Sequence, residues 1–216
     1  DDKDEIINCY DIYKQLSLNY PSLHNHTIQY ALIKVRGNFL EAQAKIILWN
    51  PFVETPEGLS VSQIWVVAGD HDDLISIEAG WEVHPPRYGD YQTRFFILWT
   101  VNGYLQSINL ECPGFVQTSS DVSLGYNFIE MYTFNGDPKG ATFSIYKDQN
   151  SGNWEFWNIQ FFNHVKVIDE NYKSKDPEDV ETYVSNRNCY DLKVDEKRTN
   201  GYNFYHGGLA YNNNCP

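Results

Sequence analysis

The chain has 216 residues, a formal net charge of −13 at pH 7 and an aromatic content of 16%. The acidity argues against nucleic acid or an anionic membrane as a partner, because phosphate groups are bound through an excess of Lys and Arg. The length fits one all-β domain. The aromatic content favours strands, since flat side chains pack well on a pleated surface.

The first part of the chain is predicted to be an arm that precedes the folded domain. Apolar and aromatic residues are spaced loosely like a helical stripe, and Pro21 ends the pattern. Residues 1–30 are therefore expected to form a short helix or an irregular arm. Asn25 begins an Asn-His-Thr sequon, which predicts N-glycosylation.

The cysteine count indicates the compartment. Four cysteines are compatible with two disulfides formed under oxidising conditions. The sequence has no run of about 18 apolar residues, so no transmembrane helix is predicted. We expect the mature form of a secreted or vacuolar protein. The cysteines are Cys9, Cys112, Cys189 and Cys215.

Strand patterns and turn residues alternate at short intervals after residue 30. Asn102-Gly103 is a hairpin signal between two of these strands. The polar segment 169–188 predicts an exposed loop or a short surface helix. Many short strands with turns between them predict an all-β fold, a sandwich or a barrel, over residues 31–216. The predicted strands are 44–50, 60–68, 74–84, 93–101, 114–117, 123–133, 141–147 and 153–167.

Residues 76–84 alternate strictly between apolar and polar side chains, which is the period of a half-buried strand. One face, with Trp81, is expected to pack into a core. The other face carries Glu78, Glu82 and His84 toward solvent or a groove. Since such a face is most often a solvated sheet surface, the alternation alone assigns no chemistry.

Motifs for nucleophilic, nucleotide or metal chemistry are absent from the sequence. It contains no Gly-rich phosphate loop, no His-Glu-x-x-His, no Cys-x-x-Cys and no Gly-x-Ser-x-Gly. The Asp and His residues at 70–73 are compatible with a cation site, but a polar turn is favoured. We therefore predict no metal and no cofactor.

Carboxylates on strands are the remaining candidates. One ionised carboxyl can polarise a water while a second, protonated carboxyl gives its proton to the leaving group. Glu78 and Glu82 lie about 13 Å apart along one strand at ~3.3 Å per residue, too far to share a water. Glu78 therefore needs a partner from another strand. Glu155 is the candidate, with an ordinary surface role as the alternative.

A series of short motifs extends along nearly the whole chain and, in this order, resembles the neprosin family of plants. The match includes the Glu78-Ala-Gly-Trp81 stretch and is too long and ordered for coincidence. The other motifs are Cys9-Tyr-Asp-Ile-Tyr-Lys-Gln15, Trp-Asn-Pro at 49–51, Ser62-Gln-Ile-Trp65, Tyr88-Gly-Asp90, Cys112-Pro-Gly-Phe115, Gly152-Asn-Trp154 and Asn214-Cys-Pro216.

The resemblance implies an antiparallel β-sandwich of two sheets, preceded by an arm similar to the family's activation peptide. It also implies an acid-active glutamic endopeptidase that cleaves peptide or protein substrates after proline. Glu78 matches the first family glutamate. Trp81, Trp157 and Tyr88 are the expected aromatic contacts for a substrate.

The second family glutamate is replaced, because its position holds Trp157. Glu155 lies two residues earlier on the same strand face, displaced by about 6–7 Å. A displacement of about 1 Å can cost ~10²-fold in rate. One hypothesis is catalysis by Glu78 and Glu155. The other is an inactive storage, defence or ligand-binding protein of the same fold, whose groove is plugged by residues 1–30.

The resemblance also implies the disulfides. Two family cysteines that neighbour Cys9 and Cys112 are missing from this chain. Cys9 and Cys112 are therefore expected to pair and to fasten the arm to the sandwich. Cys189 and Cys215 are expected to form the second bridge.

Overall fold

The structure is a computed structural model. It describes residues 30–53, 55–69, 73–102, 105–111, 113–133, 136, 139–160, 165–188, 190–195 and 202–207. The elements are β1 (Ala31–Lys34), β2 (Phe39–Ile47), β3 (Ser60–Ala68), β4 (Ile75–Val83), α1 (Pro85–Tyr88), β5 (Arg94–Val101), β6 (Leu105–Ile108), β7 (Gly140–Lys147), β8 (Trp154–Gln160), β9 (Lys166–Asp169), β10 (Ser174–Lys175), β11 (Glu181–Val184), β12 (Asp191–Asp195) and β13 (Asn203–Gly207).

Two antiparallel sheets form the body of the protein. The front sheet has the order β3-β4-β5-β6, and the back sheet has the order β10-β9-β2-β7-β8. Two further pairs, β1 with β11 and β12 with β13, are also antiparallel. The predicted all-β sandwich of two sheets is confirmed.

The main core lies between the two sheets and is built from alternate residues of their strands. From the back sheet, Ala141, Phe143 and Ile145 are at most 3% exposed, and from the front sheet Ala79 and Ile97 are equally buried. This period-two pattern is the reason why apolar and polar residues alternate along β4 and β7.

A second apolar cluster covers the opposite side of the front sheet. Phe96, Leu98 and Ile108 are buried there, with Val61 packed against them. The front sheet is therefore apolar on both faces along β5, which explains why 94–101 has no clean alternation. The side of the front sheet that faces away from the back sheet is called the outer front face below.

Several predicted strands differ from the observed ones. Asn102 ends β5, and β6 returns antiparallel to it, so the predicted hairpin is confirmed. The predicted strand 153–167 is two strands, β8 and β9. The predicted strands 114–117 and 123–133 are wrong, because neither segment forms a strand. Residues 125–128 follow the start of β5 only through isolated backbone hydrogen bonds and one bridge, Arg94 with Asn127. The segment 169–188, predicted as loop or helix, contains β10 and β11.

Some predictions fall outside the described residues. They concern the arm at residues 1–29, the glycosylation site at Asn25 and the turn at 70–72. All four cysteines, and hence both predicted disulfides, also lie outside the described part of the chain. These remain predictions, as does the domain boundary after residue 30. Within the described ranges, the structure contains no helix with the length and apolar character needed to cross a membrane.

Candidate functional site

The alternation of β4 places Glu78 on the outer front face. Ala79 and Trp81 are 2% and 6% exposed and belong to the core between the sheets. Glu78 and Glu82 point the other way, so the predicted division of this strand into an apolar and a polar face is confirmed. Glu78 lies opposite Trp65 of β3 and Leu98 of β5, in the middle of the front sheet.

Gly80 allows β3 to approach β4 closely beside this glutamate. A Cβ at position 80 would lie 2.1 Å from the carbonyl oxygen of Ser62 and 2.6 Å from the Cα of Gln63. No other residue fits without moving the backbone of β3. The glycine of the Glu-Ala-Gly-Trp motif therefore has a packing role, which keeps Gln63 within reach of Glu78.

Neutral donors hold the Glu78 carboxyl from two sides. The Gln63 amide Nε2 donates to Oε2 at 3.0 Å, and the Ser76 hydroxyl donates to Oε1 at 3.1 Å. The Trp65 indole N–H also faces this carboxyl, but it is buried without a partner at hydrogen-bonding geometry among the described residues. Glu78 is therefore oriented by uncharged groups, and no cation of the described chain forms an ion pair with it.

The surroundings of Glu78 favour its protonated form. Burial raises the pKa of Glu78 from 4.5 to about 7, and the hydrogen bonds from Ser76 and Gln63 lower it by less than burial raises it. The carboxyl is consequently neutral in mildly acidic solution. A neutral carboxyl can both donate and accept a hydrogen bond, whereas the ionised form only accepts.

Glu155 lies on the other sheet. It belongs to β8 and stands opposite Tyr146 of β7, whose hydroxyl donates to its carboxyl. Its neighbours Trp154 and Phe156 pack against the core between the sheets. Glu155 therefore points to the opposite side of β8, away from the front sheet.

The predicted catalytic pair is not brought together. Glu78 faces outward from the front sheet and Glu155 faces outward from the back sheet, with the core between them. Packed sheets lie about 10 Å apart, so the two carboxyls are separated by more than the thickness of the sandwich. They cannot share a water molecule in this fold.

The predicted aromatic contacts are also placed elsewhere. Trp81 lies in the core, and its indole N–H donates to the carbonyl oxygen of Ile47 at 2.9 Å, which ties the two sheets together. Tyr88 is engaged with Glu82 rather than Glu78. Neither residue lines the surroundings of Glu78. The side chain of Trp157 lies outside the described part of the chain.

Glu82 and His84 were expected on a solvated surface, and this expectation is wrong. They are 3% and 4% exposed. The reason is α1, which starts directly after β4 and folds back over the sheet. Its Tyr88 hydroxyl donates to Glu82 at 2.8 Å, and Arg87 Nε lies 3.6 Å from the same carboxyl.

The cluster around Glu82 is charged, in contrast to the setting of Glu78. Burial raises the pKa of Glu82 to about 7, against the Tyr88 hydrogen bond and the charge of Arg87. His84 Nδ1 lies 3.9 Å from Glu82, and burial together with Arg87 lowers the pKa of His84 to about 4. Arg87 also pairs with Glu111. This cluster fixes α1 to the front sheet.

Gln63, Ser76 and Trp65 are contacts of Glu78 that sequence reasoning missed. A signal was present, because Gln63 and Trp65 are two residues apart in the Ser62-Gln-Ile-Trp65 motif and so share a strand face. What the sequence lacked was the pairing of β3 with β4, which brings that face beside Glu78. In the described part of the chain, His, Cys, Asp and Glu side chains form no group of three or more that could hold a metal.

Fold and site together define an antiparallel β-sandwich with a half-buried glutamate on the outward side of one sheet, hydrogen-bonded to neutral side chains. A family model described as Neprosin matches residues 56–160 and 155–209, which is well over half of the chain. The chain belongs to the neprosin family, a peptidase-like family. The two matched segments meet at 155–160 in β8, where Glu155 lies.

Proposed function

We propose that the protein is a peptide-binding member of the neprosin family that does not hydrolyse its ligand efficiently. The observation that carries the proposal is the separation of Glu78 and Glu155 on the outward faces of different sheets. Hydrolysis by two carboxyls requires that one activates a water and the other protonates the leaving group in the same cleft. Glu78 by itself can bind and polarise a peptide group, but it lacks the second carboxyl.

The surroundings of Glu78 suit an extended peptide. At acid pH the protonated Glu78 can donate to a peptide carbonyl, and the Trp65 N–H is a second buried donor beside it. The ring of Tyr30 meets Trp65 edge to face at 6.4 Å between centroids. An aromatic border of this kind suits the flat, apolar ring of proline. The proposed ligand is therefore a proline-containing peptide or protein.

Tyr30 connects this face with the beginning of the chain. Its backbone exchanges two hydrogen bonds with Ser185, from its N–H to Oγ at 2.7 Å and from the Ser185 N–H to its carbonyl at 2.9 Å. The end of the predicted arm is thus fixed beside Trp65. A form cleaved after Gln29 is therefore the appropriate comparison for the full chain in any binding experiment.

An acidic compartment suits this function. Glu78 becomes neutral as the pH falls below about 7, and the formal charge of −13 is reduced at the same time, which eases self-repulsion. We place the protein in a secreted or vacuolar setting, where its predicted disulfides and glycan would also form.

A second candidate is the acid glutamic endopeptidase that cleaves after proline. The observation that favours it is Glu78 itself, with its raised pKa and the Gln63 amide 3.0 Å from its carboxyl. A carboxyl of this type is suited to general acid chemistry near neutrality. This candidate needs a second group to activate water, and Glu155 cannot provide it from the back sheet.

Binding and cleavage can be measured on the same samples. Calorimetric titration with a proline-rich decapeptide should show binding about tenfold tighter at pH 5 than at pH 8, where Glu78 is ionised. Glu78→Gln imitates the neutral carboxyl, so it should bind equally at both pH values. Glu78→Ala should bind weakly at both.

Mass spectrometry of the same mixtures between roughly pH 2.5 and 5, where paired carboxyls hold one proton, should find the peptide intact. The full chain and the form cleaved after Gln29 are both tested. Cleavage after proline that disappears in Glu78→Gln would establish the endopeptidase instead. If peptide affinity changes neither with pH nor in Glu78→Ala, the peptide binds at a surface other than the one around Glu78.

A further inference from the structure

The hydrogen-bonding groups around Glu78 are all of one kind. Gln63 and Ser76 donate to its two carboxyl oxygens, and the buried Trp65 indole N–H faces the same group. No charged group of the described chain perturbs this carboxyl. When Glu78 is protonated, its own O–H is a further donor on the outer front face. The site therefore offers neutral donors and no charge.

The elements packed around Glu78 bring no ionised group to it between pH 5 and pH 8. Its cross-strand neighbours are Trp65 of β3 and Leu98 of β5, and the ring of Tyr30 contacts Trp65. A tyrosine is neutral in this range. Glu82 shares the strand face but lies four residues along β4, about 13 Å away at ~3.3 Å per residue. A change in the charge of the site therefore comes from Glu78 itself.

The site is also enclosed on several sides. Glu78 is half-buried, while Ser76 and Leu98 beside it are each only 7% exposed. Trp65, with Tyr30 against it, covers the side toward β3. Only part of the Glu78 side chain therefore reaches solvent. A small polar group at a chain end or on a side chain fits such a site better than a backbone that continues in both directions.

A carboxylate is the ligand group that complements these donors. It only accepts hydrogen bonds, and its two oxygens offer about four positions for them. Hydrogen bonds from neutral donors to an ionised acceptor are about twice as strong as those between neutral groups. A ligand amine, in contrast, would find no ionised acceptor here while Glu78 is protonated. The donor set thus favours an anionic acceptor.

We propose that protonated Glu78 donates its hydrogen bond to a carboxylate of the peptide ligand. This inference rests on the proposed function and specifies which group of the peptide meets Glu78. Peptide carboxylates are ionised at pH 5, because their usual pKa values are about 3.5–4, whereas burial keeps Glu78 protonated at that pH. At pH 8 both carboxyls are ionised and repel each other.

Three N-acetylated versions of the proline-rich decapeptide are titrated calorimetrically into the full chain at pH 5 and pH 8. One ends in a free carboxylate, one in an amide, and one in an amide with a single internal Asp. At pH 5 a carboxylate peptide should bind about tenfold more tightly than the plain amide, the effect of one charge-assisted hydrogen bond. Preference for the free end or for Asp identifies the source of the carboxylate. At pH 8 the preference should reverse.

Two variants locate the effect. Glu78→Gln keeps an N–H donor at both pH values, so it should bind the carboxylate peptide as tightly at pH 8 as at pH 5. Glu130→Gln makes the same change at an exposed carboxylate paired with Lys139 and should behave as the wild type. By linkage, bound carboxylate peptide should also raise the NMR midpoint of Glu78 by about one unit, and the amide should raise it less.

Failure of this inference can be told apart from failure of the proposed function. Equal affinities of the three peptides at pH 5 would overturn the inference and leave the proposed function standing, because the peptide would still bind. No binding of any of them would overturn both. A carboxylate preference that persists at pH 8, or in Glu78→Ala, would overturn the inference, since another group would then hold the carboxylate.

Discussion

Glu78 and Glu82 lie on the same face of one strand, and burial raises the pKa of each to about 7. Their neighbours differ. Neutral donors hold Glu78, while Glu82 lies between a cation, a phenol and an imidazole. Glu82 thus stabilises the packing of α1 on the front sheet. Glu78, in contrast, is oriented by hydrogen bonds and has no cationic partner among the described residues. A shifted pKa alone would not have separated the structural glutamate, Glu82, from the candidate site residue, Glu78.

The largest expected effect is the removal of the cation beside Glu82. Arg87→Ala leaves a buried carboxyl without its counter-ion, which should reduce the free energy of unfolding by about 3 kcal/mol at pH 8. At pH 5 the loss should be smaller, because Glu82 is then protonated. Urea unfolding at both pH values measures the loss of stability. Gln63→Ala, which removes a neutral donor beside Glu78, is the matched control variant. Equal losses of unfolding free energy in Arg87→Ala and Gln63→Ala would contradict the proposed difference between the surroundings of Glu82 and Glu78.

Gly80→Ala should destabilise the protein by about 2 kcal/mol through overpacking against β3, because the added Cβ meets the backbone of Ser62. The displaced strand should also carry Gln63 away from Glu78, so peptide binding should fall together with stability. Urea unfolding and the calorimetric titration measure the two effects. Unchanged binding in a destabilised variant would show that the spacing of β3 and β4 does not matter for Glu78.

Stability should increase on acidification from pH 8 to about pH 5. The folded pKa values of Glu78 and Glu82 are raised from 4.5 to about 7. Their contribution is therefore present at low pH and is lost as the pH rises toward 7. His84 acts oppositely, because its folded pKa is lowered to about 4 and its contribution is lost as the pH falls from 6.5.

Burial lowers the pKa of His206 as well, so this exposed imidazole adds a smaller opposing effect to that of His84. The two carboxyls outweigh both imidazoles in that window, and the net gain should be on the order of 2 kcal/mol. Thermal unfolding across the pH range measures it. The double variant Glu78→Gln and Glu82→Gln should lose this gain, because the opposing effects of His84 and His206 remain. A wild-type stability profile that falls steadily from pH 8 to pH 5 would contradict the raised pKa values of both glutamates.

The smallest effect is expected at Ser76. Ser76→Ala removes one neutral hydrogen bond from Glu78 and should cost about 1 kcal/mol at pH 8. Because this bond favours the ionised form, its loss should also raise the pKa of Glu78 further. Ser119→Ala, at an exposed loop position, serves as the control. A lower Glu78 pKa in Ser76→Ala would contradict the direction of that hydrogen bond.

Local patterns along the sequence predicted an all-β fold, the hairpin after β5 and the two faces of β4, because each depends on neighbouring residues. The choice of a sandwich over a barrel came from the resemblance to the neprosin family. The sheet assignment of Glu155 could not be predicted, since it depends on β8 pairing with β7 rather than with a front strand. The burial of Glu82 and His84 was missed for a similar reason. The prolines after β4 indicated a chain break, but not that α1 would fold back over the sheet.

The most direct test of the account is a carboxyl NMR titration of Glu78 in the wild type and in Glu155→Gln. Carboxyls that share a proton titrate as a coupled pair, and removing one moves the midpoint of the other. Because the sandwich core separates them, the midpoint of Glu78 should stay at about 7 in both proteins. A shift of roughly one unit or more in Glu155→Gln would show that the two glutamates act together after all.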